Sequence, residues 1–273
     1  MISPFTPLFF PSSKVDGVSG GGMQVFSTTD RILIEIFYTG GYAAPDKVFK
    51  EPEHTQLFSI TYRNVNLNLL NGMKFTELCL NPGIYSVQIG GKLSEPFMVT
   101  DDPNILDNTT LIQYSNKNNK QRQDALFFIE GMQRFFDFRV FGGFKDNGWT
   151  FGVETEQFTN DRSDILQLYA LESTQMKFTM GLSEGCPIWL GEHLNRILCC
   201  DYVYFDGVRF ARKESAVPEI TEVQAGVNAF VFSQNLQKVM NIDPTLDAVH
   251  EQLLRRVTSD TYRTTNTTTN RLI

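Results

Sequence analysis

The chain has 273 residues, of which 41% are hydrophobic, and it carries a net charge of -7 with a sequence pI near 5.1. The hydrophobic content supports a packed core and excludes wholesale disorder, and the length fits two domains or one large β domain. The acidic balance argues against nucleic-acid binding, which needs a basic surface to neutralise phosphates.

The cysteines and the first residues indicate where the chain folds. Its four cysteines, at positions 79, 186, 199 and 200, are too few for a disulfide scaffold of this size. Residues 1–5 lack the basic region and continuous apolar segment of a signal peptide, and no run approaches the roughly 20 apolar residues of a membrane span. The sequence therefore predicts reduced thiols, folding in a cytosol and no membrane partner.

Residues 1–22 are predicted to form an N-terminal arm. Three prolines interrupt its apolar side chains, and such a segment cannot pair as a central strand. Two placements stay open: packing on the protein's own first domain, or packing on another subunit.

Residues 23–103 are predicted to form a β-sandwich. Strand-like patterns cover residues 30–38, 57–63, 72–80, 84–89 and 92–99. Gly90-Gly91 between the last two is a two-residue hairpin signal, and short strands with frequent turns are typical of a sandwich. The pattern breaks at residues 101–104, where we place the domain boundary.

A second β-rich domain is predicted over residues 104–220. After a first strand at residues 110–114, a phenylalanine-rich strand carries two alternating sets of side chains: Phe136, Phe138 and Val140 in one, and Phe135, Asp137, Arg139 and Phe141 in the other. The period of two sends these sets to opposite faces. We expect the first set to face the core and the second to face solvent or a partner. Residues 125–129 are the expected hairpin partner, and Gly142-Gly143 is expected to end the strand.

Two helices and a hairpin follow in the same domain. Ser163 is predicted to cap a short helix over residues 164–171, ahead of an extended run at residues 175–180. A longer helix over residues 187–200 begins at Pro187, and its apolar residues recur at helical spacing. Asp206-Gly207 between two strand-like runs predicts a type I′ hairpin.

The C-terminal part, residues 221–273, is predicted to hold a strand at 229–232, a helix from residue 243 to 257 and a polar tail. Neither the tail nor residues 1–22 can form a packed unit alone, because ordering each residue's backbone costs about 1–2 kcal/mol. We therefore predict that both ends are assembly arms ordered by neighbouring copies.

The sequence offers no motif for catalysis, for a cofactor or for a metal ion. The three histidines are widely separated, and Glu192-His193 lacks the second histidine of a helical zinc site. The glycine clusters lack the lysine and hydroxyl residue of a phosphate loop. A Cys–His nucleophile pair stays open, although no motif supports it. We predict no catalytic, cofactor-binding or metal-binding residue.

Aromatic and basic side chains on the predicted strands are the candidates for an interface. They are Phe135, Phe141, Phe144, Trp149, Tyr202, Tyr204 and Arg209. Trp149, Tyr202 and Tyr204 are also of the type that stacks on a sugar ring. Packing in the core or at a subunit interface is the favoured interpretation, with glycan binding as the alternative.

Four segments, in this order, resemble structural proteins of tailed bacteriophages and prophages. They lie at residues 110–116, 136–144, 187–197 and 212–219, and the similarity covers about residues 104–220. The relatives are components near the tail tip or baseplate, of the distal-tail-protein kind.

The resemblance implies a multi-copy ring protein of the virion, without an active site, that contacts other tail proteins. On this basis we expect a non-enzymatic virion structural protein that folds in the host cytoplasm. The alternative is a carbohydrate-binding β-sandwich protein, or adhesin, that uses Trp149 and the tyrosines.

Overall fold

The computed structural model describes residues 1–11, 23–39, 45–66, 71–120, 122, 124–129, 131–159, 165–213, 219–223 and 229–239. The fold is mainly β with a few helical turns, which confirms the predicted β-rich α+β class. The predicted C-terminal helix and tail, together with residues 12–22 of the N-terminal arm, lie outside the described residues.

The first unit is a sandwich of two sheets. Its strands are β1 (Gln24–Ser27), β2 (Ile32–Thr39), β3 (Lys47–Lys50), β4 (Thr55–Ser59), β5 (Arg63–Asn66), β6 (Asn71–Leu78), β7 (Gly83–Ile89), β8 (Lys92–Leu93) and β9 (Phe97–Thr100). One sheet has the order β1-β9-β7-β3-β4, with β8 paired to β7, and the other has the order β2-β6-β5. Apolar side chains from both sheets fill the space between them.

Two of the predicted strands in this unit are each divided in the structure. The run at residues 92–99 becomes β8 and β9, with Pro96 between them, and a proline has no backbone N–H to donate to a sheet. The run at residues 57–63 becomes β4 and β5, which lie in different sheets: β4 pairs with β3, and β5 pairs with β6. The Gly90-Gly91 turn is present, with both φ angles positive.

The N-terminal segment, residues 1–11, packs on its own chain and contacts both units. Ile2 forms a β-bridge with Ile36 of the sandwich, and Ser3 donates its backbone N–H to the Glu35 carbonyl at 2.9 Å. Phe5 is fully buried in the core of the second unit. The prediction of an assembly arm is therefore wrong for residues 1–11, because their contacts lie within the chain.

The second unit contains the remaining described elements. In chain order they are α1 (Pro103–Leu106), β10 (Thr109–Ser115), β11 (Phe128–Ile129), β12 (Met132–Gln133), β13 (Phe136–Phe144), a 3-10 turn (Asp146–Gly148), β14 (Thr150–Thr159), β15 (Ile165–Met180), α2 (Ile188–Ile197), β16 (Tyr202–Phe205), β17 (Val208–Arg212), β18 (Glu219–Glu222) and β19 (Phe230–Lys238).

Six of these described strands close into an antiparallel barrel. They pair in the order β13-β10-β16-β17-β19-β15, and β15 also pairs with β13, which closes the barrel. The partner of β13 is therefore β10, not residues 125–129 as predicted; β11 pairs instead with β12 in a small hairpin. The predicted end of β13 at Gly142-Gly143 is also wrong, because the strand runs through both glycines to Phe144.

The hairpin at residues 202–212 and the longer helix form as predicted. Asp206 and Gly207 have φ of 47° and 82°, so both occupy the left-handed region that a type I′ turn requires. Helix α2 buries Leu190, Leu194 and Ile197 in the barrel core. Pro187 caps this helix and is not its first residue.

The polar face of β13 packs against the sandwich, and its partner is the protein's own first unit. Arg139 binds Asp30 with two hydrogen bonds, from Nε to Oδ2 at 2.6 Å and from Nη2 to Oδ1 at 2.9 Å. Asp137 is buried and accepts the backbone N–H of Arg31 at 2.9 Å. These polar side chains therefore join the two units and do not face solvent.

The predicted helix at residues 164–171 is absent from the described part of that segment. Residues from Ile165 onward belong to β15, a strand of 16 residues. Its first part pairs with β14 through ten residue pairs, and this pairing overrides the helix-compatible composition.

Candidate assembly surface

β14 and the first part of β15 form a two-stranded ribbon that extends beyond the barrel. Only residues 175–180 of β15 pair with β19, and only residues 178–180 pair with β13. The preceding residues of β15 pair with β14 alone among the described strands. Ten residue pairs at about 3.4 Å each give the ribbon a length of about 34 Å.

Large apolar side chains are exposed on both faces of this ribbon. The fractional exposure is 76% for Phe151, 65% for Val153 and 67% for Ile165. Phe158, Leu168, Tyr169 and Leu171 are exposed as well. Since neighbouring residues of a strand point to opposite faces and paired residues share one, Phe151 and Val153 lie on one face, with Tyr169 and Leu171 on the other.

Such a ribbon is unstable in water without a partner. An isolated two-stranded hairpin is marginal at best, and contiguous exposed apolar surface marks an interaction site. The outer edge of β14 has no neighbour among the described strands, so it also presents unpaired backbone groups. The ribbon therefore has the properties of a surface that another protein covers.

The ribbon is acidic as well as apolar. The segment 149–176 contains Glu154, Glu156, Asp161, Asp164 and Glu172 but a single basic residue, Arg162. Glu156 and Glu172 are exposed, and neither forms an ion pair with any residue of the described ranges. A protein that covers the ribbon should therefore offer apolar contacts flanked by positive charge.

Of the sequence-predicted interface residues, Trp149 lies at this surface. It is exposed at the base of the ribbon, and its ring centroid is 5.8 Å from that of Phe151. The pattern Phe151-Gly-Val153-Glu-Thr155 alternates as a strand should. The sequence does not predict a surface from the apolar side chains of residues 165–171, because that stretch also suits a helix.

Two of the predicted interface residues are buried inside the chain and cannot contact another molecule. Phe135 and Tyr204 pack edge to face with centroids 5.9 Å apart. The Tyr204 ring is therefore unavailable for stacking on a sugar.

The remaining predicted interface residues are partly buried by contacts within the chain. Phe144 stacks on Phe210 at 4.7 Å in the barrel core, and Phe141 is partly covered on β13. The Arg209 guanidinium lies 4.9 Å from the Tyr202 ring centroid and donates to the Asp201 carbonyl at 2.9 Å. The structure thus does not bring these residues together with the ribbon.

The buried histidine and thiols lack the properties of a nucleophile pair. Burial, with a smaller effect of Arg196, lowers the pKa of His193 to about 3, so this ring is neutral where it contacts Tyr114 and Phe138. Burial raises the pKa of Cys186 to about 12. Burial and Cys199 raise the pKa of Cys200 to about 12. Both buried thiols are protonated at neutral pH, whereas the thiolate is the reactive form.

Across the described ranges, no three His, Cys, Asp or Glu side chains lie together in a way that could hold a metal ion. His54 stacks on Phe49, and its Nδ1 is hydrogen-bonded to Glu51 Oε1 at 2.9 Å. His250 lies outside the described residues.

Two buried carboxyl groups lie where the sandwich meets the barrel. Burial raises the pKa of Glu35 to about 7, against smaller opposing effects of Arg134, the Leu126 backbone N–H and Ser3. Burial and then Asp30 raise the pKa of Asp137 to about 6, while hydrogen bonds from Gln113 and the Arg31 backbone oppose the shift.

These shifts predict that Glu35 and Asp137 contribute less to stability as the pH rises to about 7, while His193, whose pKa is lowered, contributes more as the pH rises to 6.5. A group whose folded-state pKa is raised stabilises the fold below its unfolded value and loses that contribution as the pH passes its folded value. For Glu35 the window runs from 4.5 to about 7. Glu35→Gln should raise the melting temperature at pH 8 and flatten its pH profile, whereas Glu53→Gln, at an exposed position, should follow the wild type. A Glu35→Gln profile that runs parallel to that of the wild type from pH 4.5 to about 7 would contradict the assignment.

A cleft with a volume of about 520 Å³ lies between the N-terminal segment, the turn before β8 and helix α2. Phe9 and Trp189 stack in its wall with centroids 4.8 Å apart. Lys92 and Arg196 supply positive charge, and Arg196 pairs with Glu192 at 3.2 Å. The cleft is therefore aromatic and bordered by cations.

Among the residues that the structure describes, no helix has both the length and the hydropathy needed to cross a membrane.

Comparison of the chain with protein-family models, curated proteins and solved structures finds no match in any of the three.

Proposed function

We propose that this chain is a non-enzymatic structural protein that assembles through its ribbon into a ring, as part of a virion. The observation that carries the proposal is the 34 Å ribbon (about ten residue pairs at 3.4 Å each) with apolar side chains exposed on both faces. A buried partner surface is the most direct way to stabilise such an element.

The dimensions of the ribbon match those of a protein interface. Two strands spaced about 4.8 Å apart cover a width of about 10 Å, so the two faces together present about 700 Å². A stable protein–protein interface buries about 600–1,000 Å² on each partner. The ribbon is thus large enough to hold two subunits together.

A ring is one of the two assemblies that the contact of a projecting ribbon can build. When it inserts into a different surface on the next copy, the contact is heterologous, and successive heterologous contacts close into a ring or continue as a filament. The strands of the barrel itself pair in a closed circle, so within this part of the second unit the ribbon offers an edge, on β14, that is free among the described strands.

The virion setting rests on the resemblance of the four segments to structural proteins of tailed bacteriophages. It supports a position near the tail tip or baseplate, with other tail proteins as neighbours of the ring. The neutral buried histidine and protonated thiols are compatible with a protein that performs no chemistry.

The proposal predicts that polar substitutions on the ribbon abolish assembly without unfolding the protein. We expect the wild type to sediment as a large, uniform oligomer and to appear as rings by electron microscopy. The double variant Phe151→Ser/Phe158→Ser should sediment as a monomer that keeps a β-rich circular dichroism spectrum and unfolds cooperatively, because both side chains are exposed in the single chain. Val208→Ser, an exposed apolar position on the barrel, is the matched control and should still assemble.

Either of two results would contradict the proposal. One is a wild-type chain that stays monomeric at all concentrations. The other is a ribbon variant that forms the same oligomer as the wild type.

A further inference from the structure

We infer that the distal half of the ribbon docks into the cleft of the neighbouring copy, between its N-terminal segment and its helix α2. This inference rests on the proposed function and names the surface that receives the ribbon. The occupant of the cleft is thus a second copy of this chain, which presents Phe158 and Glu156 on one face of the ribbon and Ile165 on the other.

Charge favours this cleft over a second ribbon as the surface that receives the ribbon. Glu156 and Glu172 are both exposed, and the described ribbon residues include no lysine or arginine. Edge-to-edge pairing of two ribbons would place like charges close together, which is destabilising. A receiving surface with positive charge avoids that repulsion.

The cleft has the required charge and an unused cation. Lys92 lines it, is exposed and forms no ion pair with any residue in the described part of the chain. Arg196 is largely buried beside it, where it donates to the Pro4 carbonyl at 3.0 Å and pairs with Glu192. Lys92 is thus available to a carboxylate from outside.

The walls of the cleft suit the apolar side chains of the ribbon. The stacked rings of Phe9 and Trp189 form one wall, and Phe10 and Ile89 contribute further apolar surface. A volume of about 520 Å³ holds two or three large side chains, not a whole ribbon. Only the distal part therefore enters the cleft, and the proximal part, with Phe151 and Val153, lies against the surface that borders it.

The docked arrangement gives a head-to-tail contact. The ribbon and the cleft are different surfaces of one chain, so each copy donates a ribbon to one neighbour and receives a ribbon from the other. This is the heterologous contact from which a closed ring is built.

Charge reversal tests the pairing directly. Lys92→Glu should weaken wild-type assembly about tenfold at low salt, since it replaces attraction to Glu156 with repulsion. Glu156→Lys should weaken it by a similar factor, and the two changes combined should restore it to near the wild-type value. Lys120→Glu, also at an exposed lysine, is the matched control and should assemble normally. Association constants from sedimentation velocity give the comparison.

A zero-length carbodiimide crosslink provides a second measurement that needs no variant. This reagent joins an amine to a carboxylate only where they are in contact, so assembled protein should yield a Lys92 peptide joined to a Glu156 peptide. A wild-type association constant for Lys92→Glu, or assembled protein without this crosslink, overturns the inference and leaves the proposed function standing. A wild type that never assembles overturns both.

Discussion

Replacing Phe5 with alanine is expected to lower the free energy of unfolding by about 3–5 kcal/mol, the range for a large-to-small change at a buried phenylalanine. Phe5 has no exposed surface. Its ring lies 5.1 Å from that of Phe127 and 6.4 Å from that of Phe136, centroid to centroid, and the Arg122 guanidinium lies 4.7 Å from its centroid. The substitution therefore removes aromatic contacts and leaves a cavity that these neighbours cannot fill.

Chemical denaturation of Phe5→Ala and Phe128→Ala measures this effect. Phe128 is 43% exposed on the small hairpin, so its loss should change stability by no more than about 0.5 kcal/mol, as for most surface positions. Both variants are best compared in the Phe151→Ser/Phe158→Ser background, where assembly should not add to the apparent stability. A change below about 1 kcal/mol for Phe5→Ala would show that the N-terminal segment is not docked in the core.

The elements that the sequence predicts correctly are specified by neighbouring residues. The Asp206-Gly207 turn needs two residues that tolerate positive φ, and both have it. Helix α2 follows from apolar residues at a helical period within ten positions. Period-two alternation likewise identifies β2 and β7 and the core-facing side of β13. In each case the residues that specify the element lie within that element or next to it in the sequence.

The elements that the sequence does not predict are decided by distant partners. The Tyr114 hydroxyl donates to the Phe5 carbonyl across 109 positions, at 2.5 Å, and no local pattern assigns Phe5 to the barrel. Likewise, Asp137 and Arg139 are polar residues on a strand, which suits a solvated face. They are buried because Asp30 and Arg31 of the sandwich bind them.

The ribbon at the candidate site is a further element that the sequence does not predict. Residues 165–171 combine three leucines with glutamine and alanine and hold one β-branched side chain, Ile165, a composition that suits a helix. Their strand conformation depends on pairing with β14, and the residue types of this stretch alone do not indicate that pairing. The residue type alone predicts Trp149 as an interface residue. The apolar residues of β15 form a surface only when β15 is paired with β14.

Gly142→Ala is expected to lower the free energy of unfolding by about 3–5 kcal/mol, because two separate effects combine. Gly142 has φ of 139°, a conformation that residues with a Cβ rarely adopt. An added Cβ would also meet the Thr179 carbonyl oxygen and the Met180 Cα, both backbone atoms of the paired strand β15. Neither strand can shift without breaking the barrel pairing between β13 and β15.

The adjacent glycine supplies a matched control for this prediction. At Gly143 the nearest atom to an added Cβ is the Thr110 Oγ1, at an ordinary 3.7 Å, and Gly143 is not among the positive-φ glycines of the described residues. Gly143→Ala should therefore change stability by less than about 1 kcal/mol, since a glycine within a strand is itself mildly unfavourable. Thermal and denaturant unfolding of the two variants give the comparison. Equal losses for Gly142→Ala and Gly143→Ala would show that β13 and β15 do not approach as closely as the closed barrel requires.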